Sequence, residues 1–165
     1  MPDINEFTFW RADCVQDPYN CVYPIKVVVR DADSFNEMAR FDHVSATYKD
    51  GHRGNETFME STVQSGDVDN ENVSDPNDWI TRDDLHRIFE GVPHIISESK
   101  NHMKPKGDKP PAPRYHIFWA ADKETDYKAY AAFKEKLHKH YPFLDPNALD
   151  AGRYFDGTEH PNAVF

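Results

Sequence analysis

Several stretches of the chain have the alternating or β-branched pattern that is typical of strands with one buried face. This pattern predicts strands over residues 25–30, 43–48, 61–68 and 114–120. A further strand is predicted at 93–97. Because Ile95 and Ile96 are consecutive apolar residues, we expect that strand to be central in its sheet.

Two short helices are predicted between these strands from their start signals. Ser34 with Glu37 forms a capping box that predicts a helix to about Arg40. Thr81 with Asp84 caps a second helix, whose apolar residues fall on one face.

The longest helix is predicted to begin after Asp122 or Thr125 and to run to about His140, just before Pro142. Apolar residues recur within it at the spacing of a buried stripe. We expect that stripe to consist of Tyr130, Phe133, Leu137 and Tyr141.

The order of these elements indicates an α+β protein. Two βαβ-like halves predict a sheet with helices on one face, and a ferredoxin-like sheet is expected in the second half. We interpret the chain as one domain, with an N-terminal αβ part at residues 1–60 and the part that carries the site at 61–165. Since it ends in Ala163-Val164-Phe165 without a polar tail, we expect it to be cut from a longer protein.

Composition supports a globular protein and adds one electrostatic feature. Among the 165 residues, 38% are hydrophobic and 13% aromatic, which is more aromatic content than disordered chains carry. The net charge of −10 argues against nucleic-acid binding through charge alone. Residues 97–140 carry a net charge of +4, however, and the remainder carries −14. A basic zone beside an acidic pocket is compatible with an enzyme that handles phosphates.

The cysteines and the N-terminus bear on the compartment. Cys14 and Cys21 lack the spacing of a zinc motif, so two unpaired thiols are expected. The acidic N-terminus does not resemble a signal peptide, and no apolar run is long enough to span a membrane. We therefore expect a cytoplasmic protein without a membrane partner.

The candidate chemistry begins with two carboxylates at the end of a predicted strand. Asp67 and Asp69 flank Val68, so they would project from the same face while Val68 faces the core. Two like charges held close together need a shared proton or a divalent cation. The alternative is a solvated Asp-rich turn.

Two later features complete a constellation. An Arg-x-His at Arg114 and His116 lies on a later strand, and a further Asp follows a Leu after the longest helix. Three carboxylates that hold two cations, with basic and imidazole groups nearby, are the parts of a two-metal site for nucleotidyl transfer.

These motifs occur in an order that resembles the archaeo-eukaryotic primase superfamily, especially the small primase-polymerase domains of phages and mobile elements. The resemblance covers most of the chain from about Phe7. Its motifs are Gly66-Asp67-Val68-Asp69-Asn70, Ser97-Glu98-Ser99-Lys100-Asn101-His102-Met103-Lys104, Pro113-Arg114-Tyr115-His116-Ile117-Phe118, and Leu144-Asp145 with Ala151-Gly152-Arg153-Tyr154-Phe155.

The resemblance implies a single primase-polymerase domain with an RRM-like catalytic sheet and a two-metal site for Mg²⁺ or Mn²⁺. Its implied activity is template-directed DNA primase or polymerase activity, in which a 3′-hydroxyl attacks the α-phosphate of an NTP or dNTP. The implied partners are these nucleotides and a single-stranded DNA template or a primer-template. A helicase region is a candidate for the rest of the parent chain, and the implied compartment is the cytoplasm of a bacterium or a phage-infected host cell.

Carried over to this sequence, the resemblance implies a catalytic set of Asp67, Asp69, His116 and a third Asp. Asp67 and Asp69 would bind both metals, and His116 would contact the nucleotide's phosphates. Asp145 is favoured as the third metal ligand, with Asp150 as the alternative.

Further phosphate contacts are expected from basic residues near these motifs. Arg114 stands where many relatives have Ser, so its contact with phosphate stays open. Lys100, His102 and Lys104 lie in a loop that would contact template or triphosphate, or would be solvated surface. Arg153 would reach a phosphate or pair with a nearby Asp.

Two other functions remain open on the sequence alone. A metal-dependent nuclease would use the same Asp-x-Asp pair with water as the attacking group. A replication-initiator module would bind DNA without catalysis and without depending on the pair.

Overall fold

The computed structural model describes residues 6–165 and shows an α+β fold, as predicted, with two antiparallel sheets and three helices. The strands are β1 (Phe7–Arg11), β2 (Ile25–Val29), β3 (His43–Val44), β4 (Thr47–Tyr48), β5 (Phe58–Val68), β6 (His94–Glu98) and β7 (Tyr115–Glu124). The helices are α1 (Ala32–Met38), α2 (Arg82–Ile88) and α3 (Tyr127–His140), and short 3₁₀ turns span Lys49–Gly51, Pro76–Asp78 and Pro146–Ala148. None of the helices in this part of the chain is long and apolar enough to cross a lipid bilayer.

The first sheet has the strand order β2-β1-β3, and the second has the order β4-β5-β7-β6. The strand predicted at 43–48 is therefore two strands in different sheets. β3 pairs with β1, whereas β4 pairs with β5. The chain passes from one sheet to the other at Ser45 and Ala46, both buried. Periodicity alone does not detect this change of partner because the burial pattern continues across it.

Capping residues decide where the two short helices begin. The capping box of α2 is formed by Thr81 and Asp84, as predicted. In α1 the cap is Asp31, whose carboxylate accepts a hydrogen bond from the backbone N–H of Ser34. The predicted box of Ser34 with Glu37 was wrong by three residues, because Ser34 is the third residue of the helix.

The long helix α3 begins after Asp126, which accepts hydrogen bonds from the backbone N–H groups of Lys128 and Ala129. The caps predicted at Asp122 and Thr125 were therefore wrong. The predicted stripe also needs correction, because Phe133 is 44% exposed while Lys134 is only 2% exposed.

The second sheet contains a split β-α-β unit. β7 lies between β5 and β6 and is antiparallel to both, so β5 and β6 run parallel and are connected through α2. Within residues 6–165 no strand follows α3, and the place beside β5 is taken by β4. The RRM-like detail of the expected sheet is therefore not confirmed.

β6 lies at the edge of the sheet, so its predicted central position was wrong. Ile95 and Ile96 are nevertheless both fully buried because both faces of the sheet are covered. Ile95 packs with Phe118 between the two sheets, and Ile96 packs under the helices. Val164 pairs with Ile96 across the open edge.

One hydrophobic core lies between the two sheets and another lies under α2 and α3. The first includes Phe9, Val63 and Phe118, and the second includes Leu85 and Leu144. Alternate residues of a strand share a face, so Asp67 points to the same side as Val63, at the end of the inter-sheet core. The fold thereby brings a carboxylate to the boundary of an apolar region.

Candidate functional site

The centre of the candidate site is a cross-strand pair of polar side chains. Asp67 on β5 lies directly opposite His116 on β7, and Ser97 on β6 follows in the same row. The Nε2 atom of His116 is 3.8 Å from the Oδ1 atom of Asp67, which is too long for a direct hydrogen bond. The ring of Phe155 packs on the imidazole with 4.9 Å between centroids. The predicted Asp and His are thus brought together.

The two oxygens of Asp67 have different surroundings. Oδ2 accepts a hydrogen bond from the guanidinium of Arg153. Oδ1 is buried and has no hydrogen-bond partner among residues 6–165. A buried carboxylate oxygen without a donor is unfavourable, so this atom is suited to bind a ligand.

His116 is a neutral imidazole near pH 7. Burial lowers its pKa, and the charge of Arg153 adds to this effect. The charges of Asp67, Asp69 and Asp156 act in the opposite direction but do not outweigh burial. A neutral ring can donate one hydrogen bond and accept one, so His116 can contact a ligand without adding charge.

Asp69 follows the end of β5 and is held by a basic residue that the sequence analysis did not single out. The Nζ atom of Lys106 lies 2.7 Å from Asp69 and 3.3 Å from the carboxylate of Glu71. Burial lowers the pKa of Lys106, but its contacts with Asp69 and Glu71 outweigh this and raise the pKa overall. Lys106 lies in the same loop as Lys100, His102 and Lys104, for which the sequence predicts contacts with template or triphosphate.

The segment after α3 brings Asp145 beside the Asp pair. The backbone N–H of Asp145 donates a hydrogen bond of 2.8 Å to the carbonyl oxygen of Asp67. The side chain of Leu144 lies against Gly66, where an added Cβ would stand 2.8 Å from Leu144 Cδ2. Gly66 therefore permits the close approach that places Asp145 next to Asp67.

Asp145 and Asp150 are both candidates for the third metal-binding carboxylate. Oδ1 of Asp145 accepts a hydrogen bond from the backbone N–H of Asn147 and caps a 3₁₀ turn. Asp150 is exposed, and its charge acts on both Arg153 and Lys134. Arg153 is thus influenced by three acids at once: Asp67, Asp150 and Asp145.

Lys134 is a second basic residue near the site that the sequence analysis did not select. Its Nζ donates hydrogen bonds to Ser65 Oγ at 3.0 Å and to the carbonyl oxygen of Ala148 at 3.4 Å. Burial lowers its pKa to about 8, while the charges of Asp150 and Asp67 partly oppose the shift. The hydrophobic pattern of a helix predicts which apolar residues are buried, and it does not indicate that a lysine is buried among them.

Asn70, the last residue of the first motif, has a structural role. Its φ is +51°, a conformation that Asn tolerates better than most residues. Its side chain donates to the carbonyl oxygens of Ile80 and Pro113, each at 2.9 Å, and accepts from the N–H of Ile80. Asn70 therefore closes the loop that follows the Asp pair.

Arg114 has surroundings different from those expected of a phosphate-binding residue. Its side chain is completely buried, and it donates to the carbonyl oxygens of Asn101 at 2.9 Å and Lys104 at 2.7 Å. The backbone N–H of Arg114 donates to Nδ1 of His102 at 3.1 Å, and the side chain of His102 is partly exposed. In this arrangement both side chains hold the 99–113 loop in place.

Lys100 and Lys104 remain accessible and line the largest cavity near the loop, of about 970 Å³. His102, Arg40 and His160 also line it. Lys100 forms an ion pair of 2.6 Å with Asp156, whose charge acts on His116. Asp67, Asp69 and His116 are not among the residues that line this cavity, so the cavity is separate from the site.

The donor set of the site suits hard divalent cations in its chemistry. Carboxylate oxygens are the preferred ligands of Mg²⁺ and Mn²⁺, and Asp67 supplies one without a partner. As the side chains stand, residues 6–165 contain no group of three His, Cys, Asp or Glu close enough to hold an ion. Arg153 and Lys106 contact the two carboxylates instead, so a cation would have to compete with them.

Comparison with known proteins adds no family to this description. No protein-family model, no curated protein and no solved structure matches the chain. Elsewhere in the described chain, Cys14 and Cys21 form no disulfide, as expected.

Proposed function

We propose that the chain is a metal-dependent nucleotidyltransferase of the primase-polymerase type, which extends a primer on a single-stranded DNA template with NTP or dNTP. The observation that carries the proposal is the unpartnered Oδ1 of Asp67, buried opposite a neutral His116. The resemblance to archaeo-eukaryotic primases implies a metal ligand at Asp67 and a phosphate contact at His116.

The balance of charge in the site favours uptake of a cation. Carboxylates outnumber the bases that face them, and His116 is neutral near pH 7. The acids are Asp67, Asp69, Glu71, Asp145 and Asp150, and the bases are Arg153, Lys106 and Lys134. Close carboxylates repel one another unless a cation lies between them, so divalent ions would relieve the excess.

Asp67, Asp69 and either Asp145 or Asp150 would hold the cations. When bound, Mg²⁺ or Mn²⁺ would activate the attacking hydroxyl and neutralise the departing pyrophosphate. Arg153, released from Asp67, has donors in the fork geometry that matches phosphate oxygens. His116 can donate a hydrogen bond to the same phosphates.

A cavity of about 300 Å³ at the site supports binding of a nucleotide, and its walls include Asp69, Glu71 and Asp145. This volume is at the lower end of the range of small-molecule pockets. The larger cavity near Lys100 adds no net positive charge, because three glutamates line it together with three basic residues.

The test is a primer-synthesis and primer-extension assay with Mn²⁺ or Mg²⁺. Removing the charges of Asp67 and Asp69 together (D67N with D69N) is expected to lower activity at least about 100-fold, as loss of a charge-stabilising group does elsewhere. Asp108→Asn, an exposed change in the basic loop, is the matched control and should retain activity.

Two results would contradict the proposal. Full activity of the double Asp variant would remove the two Asp residues from the mechanism. Metal-dependent cleavage of DNA, without nucleotide incorporation and without binding of dATP at millimolar concentration, would replace the polymerase by a nuclease.

A further inference from the structure

Lys134 connects the two chain segments that carry the acidic residues of the site. On one side its Nζ donates to Ser65 Oγ, two residues before Asp67 on β5. On the other side it donates to the carbonyl oxygen of Ala148, in the 3₁₀ turn that Asp145 caps. These two segments are about 80 residues apart in the sequence and approach each other beside α3.

An apolar side chain would fill this position at lower cost to the fold. Lys134 is 2% exposed, and taking a charge out of water is unfavourable unless its hydrogen bonds compensate. The neighbouring Phe133 is apolar and faces solvent instead. The burial of Lys134 therefore points to a role that packing alone does not explain.

Other contacts between the segments include the backbone hydrogen bond from Asp145 to Asp67 and the packing of Leu144 on Gly66. Lys134 adds a charged group to these contacts. The charges of Asp150 and Asp67 both act to raise its pKa.

We propose that Lys134 is a positioning residue that holds the 144–151 segment, and with it the third carboxylate, against the strand that carries Asp67. Its effect on cation binding rests on the function proposed above, whereas the connection between the segments does not. Lys134 itself would touch neither the cation nor the substrate.

Hydrogen exchange of the metal-free chain of 165 residues tests the connection between the two segments. In Lys134→Met the amides of residues 144–151 should exchange about 5- to 10-fold faster, as expected when one or two hydrogen bonds are lost. Exchange in β1 should stay unchanged. Lys136→Met, at an exposed position of the same helix, is the control and should match the unsubstituted chain.

Mn²⁺ titration of the same proteins tests the consequence. Lys134→Met should weaken Mn²⁺ binding about 10- to 100-fold, the usual effect of removing a residue that orients metal ligands. Unchanged exchange at 144–151, or an equal increase throughout the chain, would overturn the positioning role. Faster local exchange with unchanged Mn²⁺ affinity would overturn its link to the cation.

A second variant covers the case in which Lys134→Met does not fold. Ser65→Ala removes one of the two hydrogen bonds and leaves the lysine in place. It must also speed exchange at 144–151, and unchanged exchange there would overturn the proposal. If the unsubstituted chain binds no Mn²⁺ while local exchange still rises in Lys134→Met, the connection stands and the proposed function fails.

Discussion

Asp42 and Asp67 are both buried, with 0% and 5% exposure, but their hydrogen bonds differ. Oδ1 of Asp42 accepts from the backbone N–H groups of Gln16 at 2.6 Å and Gly157 at 2.7 Å, and Oδ2 accepts from that of Asp17 at 2.8 Å. Asp67 has one oxygen on Arg153 and one without a donor in the described part of the chain.

This difference separates a structural carboxylate from a candidate ligand. Asp42 ties together the 13–17 loop and Gly157 and has no oxygen left for another partner. Asp67 has one carboxylate oxygen, Oδ1, that can still accept a partner. Burial alone would have ranked the two residues equally, so unsatisfied hydrogen bonding is the more informative property.

The largest predicted change in stability concerns Asp42. Asp42→Asn places an amide N–H₂ against backbone donors, and hydrogen bonds to a charged group are each worth about 1.5–3 kcal/mol. We expect a loss of roughly 3 kcal/mol in the free energy of unfolding, measured by urea denaturation. Asp67→Asn should cost no more than about 1 kcal/mol, because Arg153 remains partly exposed to water.

A similar loss for both variants would contradict the distinction between the two aspartates. Asp13→Asn serves as the control, because that side chain is 81% exposed. It should leave the unfolding midpoint unchanged.

Acid should destabilise the protein through the histidine that follows Asp42. Burial lowers the pKa of His43 to about 4, against an ordinary value of 6.5. The unfolded chain takes up this proton below pH 6.5 and the folded chain does not until about pH 4, so stability falls as the pH decreases through this window. The loss from His43 is roughly 3 kcal/mol, at about 1.4 kcal/mol for each pKa unit.

Urea unfolding between pH 7 and pH 4 measures this loss. His116 adds to it in the same direction, since burial lowers its pKa as well. In His43→Asn, whose amide can replace the contact of Nδ1 with the carbonyl oxygen of Phe41, most of the dependence should disappear. A variant that keeps the full dependence would assign the loss to other groups.

Gly66→Ala should lower stability moderately, and the structural change should lie next to Asp67. The new methyl group would stand 2.8 Å from Leu144 Cδ2, and overpacking of this kind costs about 1–3 kcal/mol. Displacement of Leu144 should also weaken Mn²⁺ binding through Asp145. Gly54→Ala, where the nearest atom is Thr57 Oγ1 at 3.1 Å, is the comparison and should leave Mn²⁺ binding unchanged.

The smallest predicted effect concerns Lys106. Lys106 forms ion pairs with Asp69 and Glu71, and its side chain is 41% exposed. Lys106→Met should therefore change the free energy of unfolding by less than about 1 kcal/mol. Because Lys106 competes for the Asp69 carboxylate, its loss should strengthen Mn²⁺ binding a few-fold in calorimetry. Weaker Mn²⁺ binding would show that Lys106 supports the cation instead.

Local signals in the sequence predicted β5, β7 and α2 because each depends on neighbouring residues. Alternation placed Asp67 and His116 on strands, and the box of Thr81 with Asp84 placed the start of α2. Their cross-strand pairing depends on register, which no local pattern contains.

Features that depend on distant partners were missed. The hydrophobic pattern predicts Phe133 in the buried stripe and not Lys134, whose acceptors Ser65 and Ala148 lie far away in the sequence. Lys106 was overlooked among several lysines of one loop. Only the folded chain shows which of these lysines contacts Asp69.

The most direct test of the central claim is a Mn²⁺ titration of the metal-free chain, followed by electron paramagnetic resonance. We predict saturable binding in the unsubstituted protein and in Asp108→Asn, and its loss in Asp67→Asn. Equal binding by Asp67→Asn and the unsubstituted chain, or no binding at millimolar Mn²⁺, would contradict the assignment of Asp67 as a cation ligand.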